Sequence, residues 1–272
     1  MKRFALPGSR FPVAGSRFGF LALGLIAACG PPARPSLPSG AGMPFDGFAS
    51  AYEQAVQQCR DVQVITAELG LSGRAGGTKL RGTITAGLAA PADIILDGHG
   101  PFGKSFFILM GRAGKATLLL PRDNRVLTGE TPSAIVEALA GVALDPVELR
   151  AALAGCGLPA MVPTGGRAYG DDWAAVEGGG VTAYLRRIES RWRVAAATRG
   201  DLTVQYGDFK SGRAETVFVK TPVADLVLRL SQVEINAPMD PRVFDLEIPK
   251  DAVPLTLEEL RRAGPLGDRG AQ

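Results

Sequence analysis

Two stretches of strict apolar–polar alternation constrain this chain more than anything else in it. Ile65, Ala67, Leu69 and Leu71 alternate with Thr66, Glu68, Gly70 and Ser72. After Gly76-Gly77, the residues Leu80, Ile84, Ala86 and Leu88 alternate with Arg81, Thr83 and Thr85. A period of two sends successive side chains to opposite faces of a strand, so this pair predicts a long hairpin with one apolar face. An apolar sheet face must be covered, and the rest of the chain is read for what covers it.

Ile94 to Leu96 reads as a third strand. Ser105 to Met110 and Lys115 to Leu120 form a second hairpin over Gly111-Arg112-Ala113-Gly114. Both of its strands are apolar on both faces, so one face is expected to meet helices and the other to line a cavity. The second half returns to strands at Val181 to Ile188, Trp192 to Thr198, Leu202 to Phe209, Glu215 to Lys220 and Leu226 to Ile235. In the last of these the apolar phase slips near Ser231-Gln232, which predicts a bulge of the kind a strongly curved sheet needs.

Helices are few. Phe45, Phe48, Tyr52, Ala55, Val56 and Cys59 recur at helical spacing, giving an amphipathic helix over Phe48 to Arg60. Thr131-Pro132 is an N-cap followed by a first-turn proline, leading into Ile135, Val136 and Leu139. Asp145-Pro146-Val147-Glu148 is a capped start for a helix carrying Leu149 and Leu153, which ends at Gly155 and Gly157. Thr256-Leu257-Glu258-Glu259 caps a short last helix.

The expected fold is therefore mainly β with some helix (α+β). It is a strongly curved antiparallel sheet, an incomplete β-barrel of about ten strands, with helices capping an apolar concave face. By alternation the cavity wall is Leu69, Leu71, Ile84, Phe107 and Leu109, faced by Ile135, Leu139, Leu149 and Leu153 from the helices. Ordinary core packing is the competing assignment for each of these residues.

The start of the chain carries a different signal. Lys2, Arg3, Arg10 and Arg17 precede or begin an apolar run, Phe18 to Ile26, that ends in Ile26-Ala27-Ala28-Cys29. Positive, then apolar, then small residues make a secretory signal. The run is shorter than the roughly 20 residues a membrane span requires. The small-Ala-Ala-Cys ending resembles the bacterial lipobox, which implies lipidation of Cys29 and a mature chain that begins there, outside the cytoplasm. Gly30, not Asp, follows, and in Gram-negative lipoproteins this implies export to the outer membrane. Residues 1–28 are then a signal peptide. Residues 29–47, rich in Pro, Gly and Ser, read as a flexible or extended tether. Residues 48–266 form one domain and 267–272 a disordered tail.

The whole chain has 30 Lys and Arg against 27 Asp and Glu. Four of the bases lie before Cys29, so the mature chain is close to neutral, and no cluster of bases argues for nucleic acid. Of the three cysteines, Cys29 is taken by lipid. Cys59 and Cys156 remain in an oxidising compartment, where a disulfide is favoured over two buried thiols.

Catalytic signatures are missing. The single His99, between Gly98 and Gly100, reads as a loop or turn residue and cannot support a triad or a His-rich metal site. Gly111-Arg112-Ala113-Gly114-Lys115 lacks the spacing of a phosphate loop and is better explained as a hairpin turn. Asp171-Asp172 reads as a solvated turn, and Arg186-Arg187 and Arg261-Arg262 as solvated faces. The sequence thus predicts no metal, no cofactor and no enzyme activity.

The order of parts resembles the LolB-type outer-membrane lipoproteins of the LolA/LolB-like lipoprotein-sorting superfamily. The resemblance runs through Ile65–Leu71, the Gly76-Gly77 turn, Leu80–Leu88 and Gly100-Pro101-Phe102-Gly103. It continues with the Phe106–Leu120 hairpin, Gly141-x-x-Leu144 and Leu149-x-x-x-Leu153-x-Gly155. Phe102 replaces the family's usual Leu, and Ala152 stands where a Trp is common. Leu202-Thr203-Val204-Gln205-Tyr206 is similar to a family strand without its Trp. Asn236, Phe244 and Pro249 are similar to the C-terminal strands of LolA-type carriers. The resemblance implies a barrel with a helical lid over an apolar cavity, in which acyl chains of other lipoproteins or lipids are held without any titrating residue. It implies a lipid-anchored protein of the outer membrane, facing the periplasm, with a periplasmic LolA-like carrier as candidate partner. It also implies an exposed apolar residue on a protruding loop, for which Leu88 to Pro91 is the candidate. An anchored structural or adaptor lipoprotein of the same fold, binding a protein partner, is the alternative. The two differ in whether a cavity lies beneath the Ile135–Leu153 helices.

Overall fold

A computed structural model describes residues 34–100, 103–210 and 212–265; the signal segment and Cys29 lie outside the described residues, as do 266–272. The alternating segments form strands β2 (Val64–Ala75) and β3 (Thr78–Ala89), which pair antiparallel along their full length. Leu69 faces Ile84 and Ala67 faces Ala86 across the pair, so the apolar phases coincide. β4 (Asp93–His99), β5 (Ser105–Arg112), β6 (Lys115–Leu120) and β7 (Arg125–Glu130) extend the sheet on one side. β14 (Ala224–Ile235) pairs with the other side of β2.

From β14 the sheet continues through β13 (Arg213–Lys220), β12 (Leu202–Lys210), β11 (Arg191–Arg199), β10 (Val181–Ile188), β9 (Trp173–Gly178) and β8 (Gly165–Tyr169). Its two edges are two-residue strands, β1 (Met43–Pro44) beside β8 and β15 (Val253–Pro254) beside β7. Among the described residues the result is one curved sheet of 15 strands with unpaired ends, not a closed barrel. All pairings are antiparallel except β15 on β7. The bulge expected near Ser231 is present: register shifts between Ser231 and Glu234, and Gln232 takes a positive φ of 50°.

The strand number exceeds the expected ten. β7, β8 and β9 carry too little alternation to be read alone, and Gly165-Gly166-Arg167-Ala168-Tyr169 is largely polar or small. Their order comes from pairing with neighbours, which is a tertiary effect.

Helix α1 (Phe48–Arg60) packs Ala51, Tyr52, Ala55 and Val56 into a core with β8 to β11. α2 (Pro132–Ala140) starts where the Ala134 N–H donates to the Thr131 hydroxyl at 3.3 Å. α3 (Pro146–Ala154) has a capping box, with the Glu148 N–H donating to Asp145 at 2.8 Å and the Asp145 N–H to Glu148 at 3.0 Å. α2 lies over β5 and β6, and α3 over β2, β3 and β13, so these two helices roof the concave face. α4 (Leu257–Ala263) begins in a second capping box at Thr256 and packs on α2.

Residues 34–47 differ from the expected tether. They lie along the sheet. Arg34 pairs with Asp225 at 2.6 Å and sits 4.8 Å over the Phe218 ring. The Gln205 amide donates to the Pro35 carbonyl. Arg167 donates to the Ala41 carbonyl at 2.8 Å, and Met43-Pro44 pairs with β8. Prolines cannot continue a helix, so the segment stays extended and spends its polar groups on the sheet.

Candidate apolar cavity

The roof and the sheet do not meet everywhere. Between them lies a cavity of about 110 Å³, partly open to solvent. Its floor is Leu69 and Leu71 of β2, Gly82, Ile84 and Leu88 of β3, Leu96 of β4, and Phe106 and Phe107 of β5. Val219, Leu226 and Leu228 close one wall. Val136 and Leu139 of α2, Val142 and Leu144 of the following loop, and Leu149, Ala152 and Leu153 of α3 form the roof.

Strand register explains where the space comes from. Leu71 faces Gly82, and Leu69 faces Ile84, which faces Gly98, which faces Phe107. Two of these six positions, Gly82 and Gly98, carry no side chain. At Gly98 the gap is used: a Cβ there would stand 2.2 Å from the Phe107 ring. At Gly82 it is not, because a Cβ would have nothing nearer than 3.6 Å. The missing side chain leaves room beside the Phe106 ring.

Of the residues expected to line the cavity, Leu69, Leu71, Ile84, Phe107, Leu139, Leu149 and Leu153 do so. Leu109 and Ile135 do not. Both are fully buried in a neighbouring cluster with Leu118, Leu127, Leu255 and Leu260. The reason is the C-terminal segment: β15 and α4 bring Leu255 and Leu260 onto α2 and fill that end of the concave face. Phe106 is the converse case. Register shifts between Gly98 and His99, leaving Phe106 as an extra residue opposite the bulge. A bulge re-aims a side chain, so Phe106 joins Phe107 at the cavity, their ring centroids 5.2 Å apart.

The far end of α3 is held by polar contacts. Tyr206 of β12 is fully buried, its hydroxyl accepting from the Gly157 N–H at 2.6 Å and donating to the Ala152 carbonyl at 2.7 Å. Burial pushes its phenol far above the ordinary range. Cys156, at the same point, is bonded to Cys59 at the end of α1, with Cα atoms 5.9 Å apart. Glu148 is nearly buried and receives the Arg199 guanidinium, and that hydrogen bond raises the arginine further. The hydroxyl of Tyr52 accepts from the Met161 N–H at 3.0 Å, and burial raises its pKa as well.

No protein-family model matches the chain, and no curated protein matches it in sequence. Solved structures are similar to it at low identity. A LolA superfamily protein from Nitrosomonas europaea superposes with a TM-score of 0.49 at 10% identity, covering 76% of this chain and 99% of that one. A DUF1329 family protein from Desulfovibrio piger gives 0.48 at 13% identity, over 74% of this chain and 98% of that one. A candidate outer membrane lipoprotein-sorting protein domain from Vibrio parahaemolyticus gives 0.46 at 11% identity, over 72% and 96%.

Other sequence expectations fall elsewhere. His99 is the last residue of β4, not a loop residue; its Nε2 is 3.2 Å from the Thr85 hydroxyl and 3.7 Å from Asp97. Ladder pairing with Thr83 and Ser105 holds it in the strand. In the Leu88-to-Pro91 loop alternation carries Leu88 inward to full burial and leaves Pro91 as the exposed residue. Large exposed apolar side chains occur at Met43, Val162 and Val223, among others. Asp171 and Asp172 lie exposed in the β8–β9 turn. Arg112 and Lys115 pair across a tight turn at Ala113-Gly114, as the hairpin reading requires. Arg186 and Arg187 stack on Trp173 and Trp192, while Arg261 and Arg262 pair with Glu137 and Glu258. Among the described residues no three His, Cys, Asp or Glu side chains gather as for a metal ion, and no helix is long and apolar enough to cross a membrane.

Proposed function

We propose that this chain is a lipoprotein anchored through Cys29 to the outer membrane, facing the periplasm, and that its cavity takes up acyl chains of other lipoproteins in a LolB-like manner. The observation that carries the reading is the cavity: a concave apolar surface beneath α2 and α3, in whose lining Arg81, an exposed residue of β3, is the one charged residue. An acyl chain leaves water for such a surface because burial of its methylenes is favourable, at roughly 0.8 kcal/mol each. No proton transfer, metal or cofactor is required.

Ligand sites are usually about 300–1,000 Å³, so a chain enters only as the roof lifts. The Cys59–Cys156 bond and Tyr206 tether the C-terminal end of α3. In this reading α2 and the loop carrying Val142 and Leu144, which line the cavity, are the parts that move. A soluble LolA-like carrier is the natural donor of the acylated protein.

The test is saturation binding of a fluorescent acyl probe to the mature chain, with a triacylated lipopeptide as competitor. Saturable binding displaced by the lipopeptide supports the reading. Absence of binding up to the probe's solubility limit overturns it and leaves the adaptor alternative.

A further inference from the structure

The anchor reading sets a distance. Five peptide steps separate Cys29 from Arg34, and five extended residues span at most about 18 Å. Arg34 is not free to wander, because its guanidinium is held on Asp225 at 2.6 Å and over Phe218. Asp225 lies at the start of β14. Glu234, near the far end of the same strand, is nine residues on, or about 30 Å at the rise of a strand. A membrane-bound Cys29 thus keeps the bilayer near one end of the sheet and away from the other.

That end has the chemistry for it. Lys220 of β13 faces Asp225, which faces Arg74 of β2, which faces Lys79 of β3. Directly opposed residues share a sheet face, and the next residues along, Ala75 and Ala224, are buried on the other face. The row therefore lies on the outer face. Arg34 neutralises its only acid, leaving three cations. Beyond the row, Val223 projects from the β13–β14 turn at 60% exposure. Its carbonyl accepts from the Gly76 N–H at 2.8 Å, which ties the turn to the β2–β3 turn. The Thr221 hydroxyl donates to the Gly141 carbonyl at 3.1 Å, placing the same turn beside the loop whose Val142 and Leu144 line the cavity.

We infer that the docked segment 34–47 orients the domain on the bilayer. The β2–β3 and β13–β14 turns then face the lipid, Val223 enters the headgroup boundary, and Lys220, Arg74 and Lys79 meet anionic headgroups. Basic residues near a membrane surface are attracted to anionic lipid, and small apolar side chains seat at its boundary. This rests on the proposed lipid anchor. It adds that the cavity's loop is held next to the membrane, so an acyl chain has a short path between the two.

The experiment uses the full lipidated chain with the Cys59–Cys156 bond intact, carrying one further thiol, Val223→Cys or Glu234→Cys. Each thiol is labelled with an environment-sensitive fluorophore, and the chain is reconstituted in phosphatidylethanolamine–phosphatidylglycerol vesicles. The label at 223 is expected to shift to the blue and to lose its emission to lipids bearing a quencher, while the label at 234 keeps the emission it has in water. A chain that floats with the vesicles but leaves both labels unquenched, or quenches 234 more than 223, overturns the inference and leaves the anchor standing. A chain that does not float at all overturns the anchor and this inference together. Acyl-probe binding is measured separately, and its failure does not alter the quenching result.

Discussion

Tyr206→Phe removes one oxygen from the centre of the domain and leaves the ring. The ring is fully buried, so the apolar term of its packing is retained. What is lost is a hydroxyl that accepts from the Gly157 N–H and donates to the Ala152 carbonyl. The two partners are not equally exposed to the loss. The Ala152 carbonyl still accepts from the Gly155 N–H at 3.2 Å, whereas among the described residues Tyr206 is the partner found for the Gly157 N–H. A buried donor left unpaired costs about 1–3 kcal/mol, and we place the variant near 2 kcal/mol. For a domain of this size that is a fall in Tm of about 4–8 °C. Thermal unfolding followed by circular dichroism reads it. A Tm within about 1 °C of the parent would refute the argument, since the hydroxyl would then be doing nothing for the end of α3.

Other perturbations separate site from core. Gly82→Leu places a side chain into the cavity from its floor, at a strand position without positive φ; acyl-probe binding should be lost while the denaturation midpoint holds or rises, and undiminished binding would contradict the proposed site. Replacing Cys59 and Cys156 by Ser opens a link of sequence separation 97, for which the chain-entropy model gives about 4–5 kcal/mol; a denaturant midpoint unmoved by the change or by reductant would count against that value. Glu259 is held at a pKa of about 2 by the Thr256 N–H, the Arg125 guanidinium and the Thr256 hydroxyl. A depressed carboxyl stabilises the fold above its unfolded value and ceases to do so as pH falls towards about 2. Amide-exchange protection of α4 should therefore decline across roughly pH 4.5 to 2, and Glu259→Gln should flatten that decline; an unchanged profile in the variant would assign the acid response elsewhere.

The sequence by itself determined the local parts. Alternation from Ile65 to Leu88 marked β2 and β3 and told which residues face inward, because a period of two leaves no other arrangement with one covered face. Thr131, Asp145 and Thr256 marked three helix starts, since a capping side chain and a first-turn proline act within one turn of chain. The phase slip at Ser231-Gln232 marked a bulge. Of the five wall residues read from the same alternation, Leu69, Leu71, Ile84 and Phe107 line the cavity.

Tertiary structure decided what depends on distant pairing. Leu109 and Ile135 became core because a C-terminal segment more than a hundred residues away brought Leu255 and Leu260 over them. Phe106 turned inward because of a register shift against β4, which no single-strand pattern reveals. β8 and β9 exist through their neighbours rather than their composition. The segment 34–47 reads as a spacer by its prolines and glycines, yet Arg34, Pro35 and Ala41 find partners on β14, β12 and β8. Local propensity acts over one turn or one pleat. Which faces remain uncovered, and what comes to cover them, is settled only when the whole chain has been packed.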